Sequence, residues 1–72
     1  MKLVKLDHTG HTELDLDVES MIAELEKEMN TGRKSVVAEE PGKEPIYIRE
    51  ASQVRGLHEE TQVTVMPQLA GG

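Results

Sequence analysis

Three groupings of side chains in this 72-residue sequence have the types that chemistry uses. Asp7, His8 and His11 offer a carboxylate and two imidazoles around a turn, which are zinc-ligand types. A hairpin projects such residues in differing directions, and a third firm ligand is missing, so an ordinary solvated turn is expected. His58 beside Glu59 and Glu60 invites a general acid/base reading. No nucleophile or pocket is evident there, and adjacent charges in a loop are usually solvated. Glu24, Glu26 and Glu28 read as the wet face of a helix, with Glu24 and Lys27 close enough to help one another slightly. The absence of cysteine removes thiol nucleophiles, thiolate metal sites and disulfides together. The expectation is therefore no catalytic side chain, no metal and no enzyme. What remains is Gly71-Gly72. At an average glycine usage of about 7%, a terminal pair arises by chance in roughly 0.5% of chains, and here it follows a strand pattern and Pro67.

Size and charge narrow the partners. A chain of 72 residues has room for one small core and buries only about 60% of its unfolded surface, which leaves little for a deep, dry substrate cavity. With 36% apolar residues, no Phe or Trp and a single Tyr, that core must be built from Leu, Val, Ile and Met. The formal charge of -6, from 14 acidic and 8 basic residues, repels phosphate backbones, so nucleic acid is not an expected partner. The N-terminal segment alternates charge with apolar residues and carries no long apolar run, which reads as neither signal peptide nor membrane span. A cytoplasmic monomer is expected.

The elements follow from periodicity. Lys2 to Asp7 and Thr12 to Asp17 alternate, with Val4 and Leu6 on one face of the first strand and Leu14 and Leu16 on one face of the second. His8-Thr9-Gly10-His11 is the turn between them, with Gly10 supplying a positive φ. Val18, Met21, Ile22, Leu25 and Met29 recur at spacings of three and four, which predicts one helix, started by an Asp17 cap and ended at Asn30-Thr31-Gly32. The methionines and aliphatics of that stripe are expected to cover a sheet. Short strands are expected over Lys34 to Glu39 and Pro45 to Arg49, around a Pro41-Gly42 turn. Glu50 to Thr61 has no clean period and should wrap the core through Val54 and Leu57; Gln62 to Met66 resumes strand alternation, stopped by Pro67. The fold class is α+β, a mixed sheet of four to five strands on one helix. Residues 1–66 form the domain, and 67–72 form a flexible tail ending in Gly-Gly.

That order is the β-grasp plan, and the residues resemble the ubiquitin family. The turn Thr9-Gly10-His11-Thr12 looks like the Thr-Gly-Lys-Thr turn of ubiquitin. The end, with Pro67 and Ala70-Gly71-Gly72, is similar to the sulfur-carrier branch typified by the molybdopterin-synthase small subunit and the thiamine-type carriers. The resemblance implies a modifier whose C-terminal glycine, Gly72, is adenylated by an E1-like activating enzyme and passed through a thiol, with or without an E2-like enzyme, into an isopeptide bond with target amines. A deconjugating protease would reverse the bond. ATP belongs to the activating enzyme, and this chain carries no cofactor of its own. The sulfur-carrier branch implies instead a C-terminal thiocarboxylate serving molybdopterin, thiamine or tRNA thiolation. A non-activated structural or binding β-grasp domain, phage-related for instance, is the third reading.

Glycine suits this role physically, since only residues without a Cβ let backbone walls close around an extended tail. Pro67, Gln68, Leu69 and Ala70 would then be read by the activating enzyme, Gly71 and Gly72 entering its channel. No Arg precedes the diglycine, which implies a dedicated activating enzyme. Lys5, Tyr47 and Val65 or Met66 are expected on the sheet's outer face as an apolar partner surface. Lys2, Lys5, Lys27, Lys34 and Lys43 are the candidate acceptor amines if the modifier forms chains.

Overall fold

Two alternating segments separated by a short turn pair as a hairpin, β1 (Lys2–Asp7) with β2 (Gly10–Asp15). Their register is antiparallel, Leu3 opposite Leu14 and Val4 opposite Glu13. Gly10 opens β2 with φ +134, a conformation that favours glycine, so the strand resumes two residues earlier than Thr12. The computed structural model describes residues 1–7, 10–32 and 34–67.

The apolar stripe predicted as a helix is α1 (Val18–Asn30), with Met21, Ile22 and Leu25 buried. Its start is capped as expected: an Asp17 carboxylate oxygen accepts a hydrogen bond from the Ser20 N–H at 2.8 Å. That bond holds the Asp17 carboxyl below its ordinary range, since protonation would weaken it. At the other end Thr31 is the cap and Gly32 follows at φ +148.

β3 (Lys34–Glu39) and β5 (Gln62–Pro67) have the expected alternation. β4 is shorter than expected and covers only Ile46–Tyr47. Pro45 brings no N–H to a ladder, and beyond Tyr47 one further bond, from the Ile48 N–H to the Val36 carbonyl at 2.8 Å, holds the buried Ile48 against β3. Pro67 is the last residue of β5, opposite Lys34. A strand end is where proline's missing donor costs least.

The sheet order is β2-β1-β5-β3-β4. β1 and β5 run parallel and the other neighbours antiparallel, giving a mixed five-strand sheet with one main helix, a β-grasp-like α+β fold. The stretch read as an irregular wrap contains a 3-10 helix, Ala51–Gly56, bracketed by a capping box between Glu50 and Gln53. It turns the chain beneath α1 and buries Val54 completely, with Leu57 half-buried behind it.

The core lies between the sheet and the two helical elements. Leu3, Met21, Leu25, Val54 and Val63 are fully buried in it, each stabilising the fold by about 1.5–3 kcal/mol relative to exposure. Leu14 and Leu16 pack against its margin. Within β1, the core residue is Leu3, while Val4 and Leu6 point to the opposite side. Thr61, at the entry to β5, is a buried polar residue of this core.

Candidate functional site

β5 is a central strand, flanked by β1 on one side and β3 on the other, and the diglycine begins four residues beyond its last residue, Pro67. The strand that leads to the diglycine is thus an inner strand of the sheet, with ladder partners along both edges. Gln68, Leu69, Ala70, Gly71 and Gly72 lie outside the described residues, as does the His8-Thr9 turn. Pro67 is exposed at the end of the sheet where β3 begins at Lys34.

One face of the sheet is covered by α1 and the 3-10 helix; among the described residues no helix or strand covers the other. Because residues paired across strands share a face, the register traces a row over the open side from Glu13 through Val4, Thr64 and Val37 to Tyr47. The next row toward Pro67 holds His11 opposite Leu6 and Met66 opposite Ser35. Val4, Leu6, Val37, Tyr47 and Met66 therefore form an apolar band on this side. Leu6 is 38% and Tyr47 73% exposed, both large hydrophobic side chains left to water.

Of the four residues expected on the outer face, Tyr47 and Met66 lie there, Met66 half-buried. The other two are corrected. Val65 is 2% exposed and belongs to the core, because alternation along β5 sends Val63 and Val65 inward together. Lys5 shares its side with Leu3 and reaches α1, its Nζ 3.0 Å from Glu24 Oε2. That hydrogen bond, and then the charge of Lys5, hold the Glu24 carboxyl below the ordinary range. Glu24 thus finds its main partner across the core margin, with Lys27 on its own helix a smaller influence.

Val4, Val37 and Thr64, which complete the band, were not singled out from the sequence. The alternation of β1 put Val4 with Leu6 but left open which side faced the helix; the parallel pairing with β5 decides it. Polar pairs border the band at β2: Lys2 Nζ and His11 Nε2 each lie 3.2 Å from a Glu13 carboxylate oxygen. Lys2 donates the hydrogen bond that contributes most to holding Glu13 below its ordinary range.

The remaining candidates are accounted for locally. His58 Nδ1 accepts from the Glu60 N–H at 2.9 Å, while the His58 N–H donates to Glu40 Oε2 at 3.0 Å, so the imidazole closes a turn. Glu19 pairs with Arg55, tying α1 to the 3-10 helix. Among the described residues no group of three or more His, Asp or Glu side chains is placed to hold a metal ion. An open hollow at the far end of the sheet from Pro67 is lined by Met1, Lys2, Asp15, Glu59, Glu60 and Gln62, and no Ser, Thr or His is among these residues. Among the described residues no helix is long and apolar enough to cross a membrane.

No protein-family model, curated protein or solved structure matches this chain. The likeness to the ubiquitin family accordingly rests on the sequence features and the order of elements.

Proposed function

We propose that this chain is a ubiquitin-like protein modifier, activated at Gly72 by an E1-like enzyme and joined to target amines in the cytoplasm. The observation that carries the reading is that Pro67 closes the central strand of a β-grasp-like sheet and the sequence Gln68-Leu69-Ala70-Gly71-Gly72 follows it directly. In this mechanism a Gly72 carboxylate oxygen attacks the α-phosphate of ATP and pyrophosphate leaves. A thiol of the activating enzyme then displaces AMP to give a thioester, and a target amine displaces the thiol to give the isopeptide bond. The chain itself contributes geometry: a rigid strand that delivers the tail, and glycines that a narrow channel admits. The open face beside Pro67, with Leu6, Tyr47 and Met66, would be the surface the activating enzyme holds.

The Pro67 and Ala70-Gly71-Gly72 pattern also favours a second reading, a sulfur carrier whose Gly72 becomes a thiocarboxylate after the same adenylation. Intact mass spectrometry of the chain expressed in its native host distinguishes them. Gly72 joined to lysines of other proteins supports the modifier; a mass gain equal to sulfur minus oxygen supports the carrier. A free, unaltered chain under all conditions overturns both and leaves a non-activated binding domain.

A further inference from the structure

The outer edge of β2 is the longest open edge of the sheet. β4, at the opposite margin, spans two residues, whereas β2 spans six, and among the described residues its outer side pairs with no strand. Met1 and Leu16 exchange both backbone bonds, the Met1 amine to the Leu16 carbonyl at 3.0 Å and the Leu16 N–H to the Met1 carbonyl at 2.8 Å. In an antiparallel pair such bonded positions alternate. Leu14, Thr12 and Gly10 are therefore bonded inward to β1, and His11, Glu13 and Asp15 turn their N–H and C=O groups outward. β2 contains no proline, the device that most firmly blunts an edge.

The chemistry around this edge is acidic. Glu13 and Asp15 lie on it, and the Asp15 side chain is 97% exposed, with its nearest cation, the Met1 amine, at 3.9 Å. On α1 the row Ser20, Glu24, Glu28 flanks the buried stripe, and the bond from Glu24 to Lys5 of β1 sets this row on the hairpin side, while the pair of Glu19 with Arg55 sets the other flank on the 3-10 helix. Between the row and the edge lie the half-buried Leu14 and Leu16. The inner neighbour already matches this pattern: β1 sets Lys2 on Glu13 from one side and Leu3 opposite Leu14 beneath.

We propose that the β2 edge receives an extended basic segment of a partner protein as a sixth strand, with Lys or Arg alternating with aliphatic residues. Its backbone pairs with His11, Glu13 and Asp15, its cations stand opposite Glu13 and Asp15 on the open side, and its aliphatic residues cover Leu14 and Leu16. A second copy of this chain is the competing occupant, since antiparallel self-pairing about Thr12 sets His11 opposite Glu13, whereas pairing about Glu13 sets Glu13 against itself; dependence of the exchange on protein concentration reports it. The proposal does not depend on activation of Gly72.

The test is titration of the isotope-labelled full chain, followed by amide NMR and hydrogen exchange, with short synthetic peptides alternating lysine and valine, alternating glutamate and valine, or lysine and glycine. The expected result is shifts and slowed exchange at the His11, Glu13 and Asp15 amides with the lysine–valine peptide alone. Glu13→Pro removes an outward donor without touching a bond to β1, so it keeps the native amide spectrum elsewhere and abolishes binding. Asp15→Lys, which leaves the donors in place, weakens binding about tenfold. Equal binding of the lysine–glycine peptide without slowed exchange, unchanged affinity of Glu13→Pro, or slowed exchange that depends on protein concentration without peptide would each overturn the proposal.

Discussion

Replacing Thr61 with Val should stabilise the protein. Thr61 is fully buried, and its backbone is satisfied: the N–H donates to the His58 carbonyl at 3.0 Å and the carbonyl accepts from the Lys2 N–H at 3.1 Å. Its hydroxyl oxygen, however, has no hydrogen-bond partner among the described residues. An unsatisfied buried hydroxyl costs about 1–3 kcal/mol, and valine fills nearly the same space without that cost. For a domain of this size, 1 kcal/mol corresponds to roughly 4–8 °C in Tm, so thermal unfolding followed by circular dichroism should show a rise of at least about 4 °C. Thr61→Ser separates the two contributions. It keeps the hydroxyl and loses a methyl group, and should therefore destabilise by about 1 kcal/mol. If Thr61→Val lowers Tm while the urea slope stays constant, the hydroxyl is bonded in solution and the reasoning fails.

The assignment of faces in β1 predicts that Leu3→Ala costs about 2–5 kcal/mol while Leu6→Ala stays within about 0.5 kcal/mol, measured by urea unfolding; similar losses would mean the faces are misassigned. Glu13, Asp17 and Glu24 all have carboxyls held below their ordinary range, so their contribution is present above the unfolded-state values and is lost as pH falls through the folded-state values. Stability should be level above about pH 5 and decline below about pH 4, less steeply in Glu24→Gln, and a stability that rises on acidification would contradict these pairings. Deleting Gly71 and Gly72 should leave the unfolding transition unchanged while removing every conjugate or thiocarboxylate seen by mass spectrometry, since among the described residues the core is complete by Val65.

What could be read from the sequence was local, and what could not was set by pairing between distant segments. The hairpin, α1 and the Asp17 cap follow from alternation, three-and-four spacing and a side chain that bonds its own neighbours. The side of β1 facing the helix depends on where β5, sixty residues on in register from Lys2 to Gln62, lies down beside it. Alternation alone fits both sides, and Lys5 is tolerated at the core margin only because Glu24 is there to meet it. The 3-10 helix had a signal, the Glu50 to Gln53 capping box, but six residues are too few for periodicity to register. At the candidate site, Tyr47 was legible as an outer-face residue, while Met66 stood only as an alternative to Val65; the places of Val4, Val37 and Thr64 were not legible, because the band exists only once five strands are in order.

The open face and the β2 edge place different demands on the same hairpin. Val4 and Leu6 hold an apolar band together through contacts across strands, and a partner there would read side chains. His11, Glu13 and Asp15 present backbone at right angles to that band, and a partner there would read main chain with charge as the filter. Glu13 belongs to both, through its side chain paired with Lys2 and its outward N–H. Occupancy of the edge by a basic strand would compete for the Glu13 carboxylate and release Lys2 at the border of the band. The two surfaces are therefore linked through one residue, and binding at one should alter affinity at the other by the same factor in both directions. Glu13→Gln, which keeps the backbone donor and removes the shared charge, should uncouple them and weaken, without abolishing, binding of the basic strand at the edge.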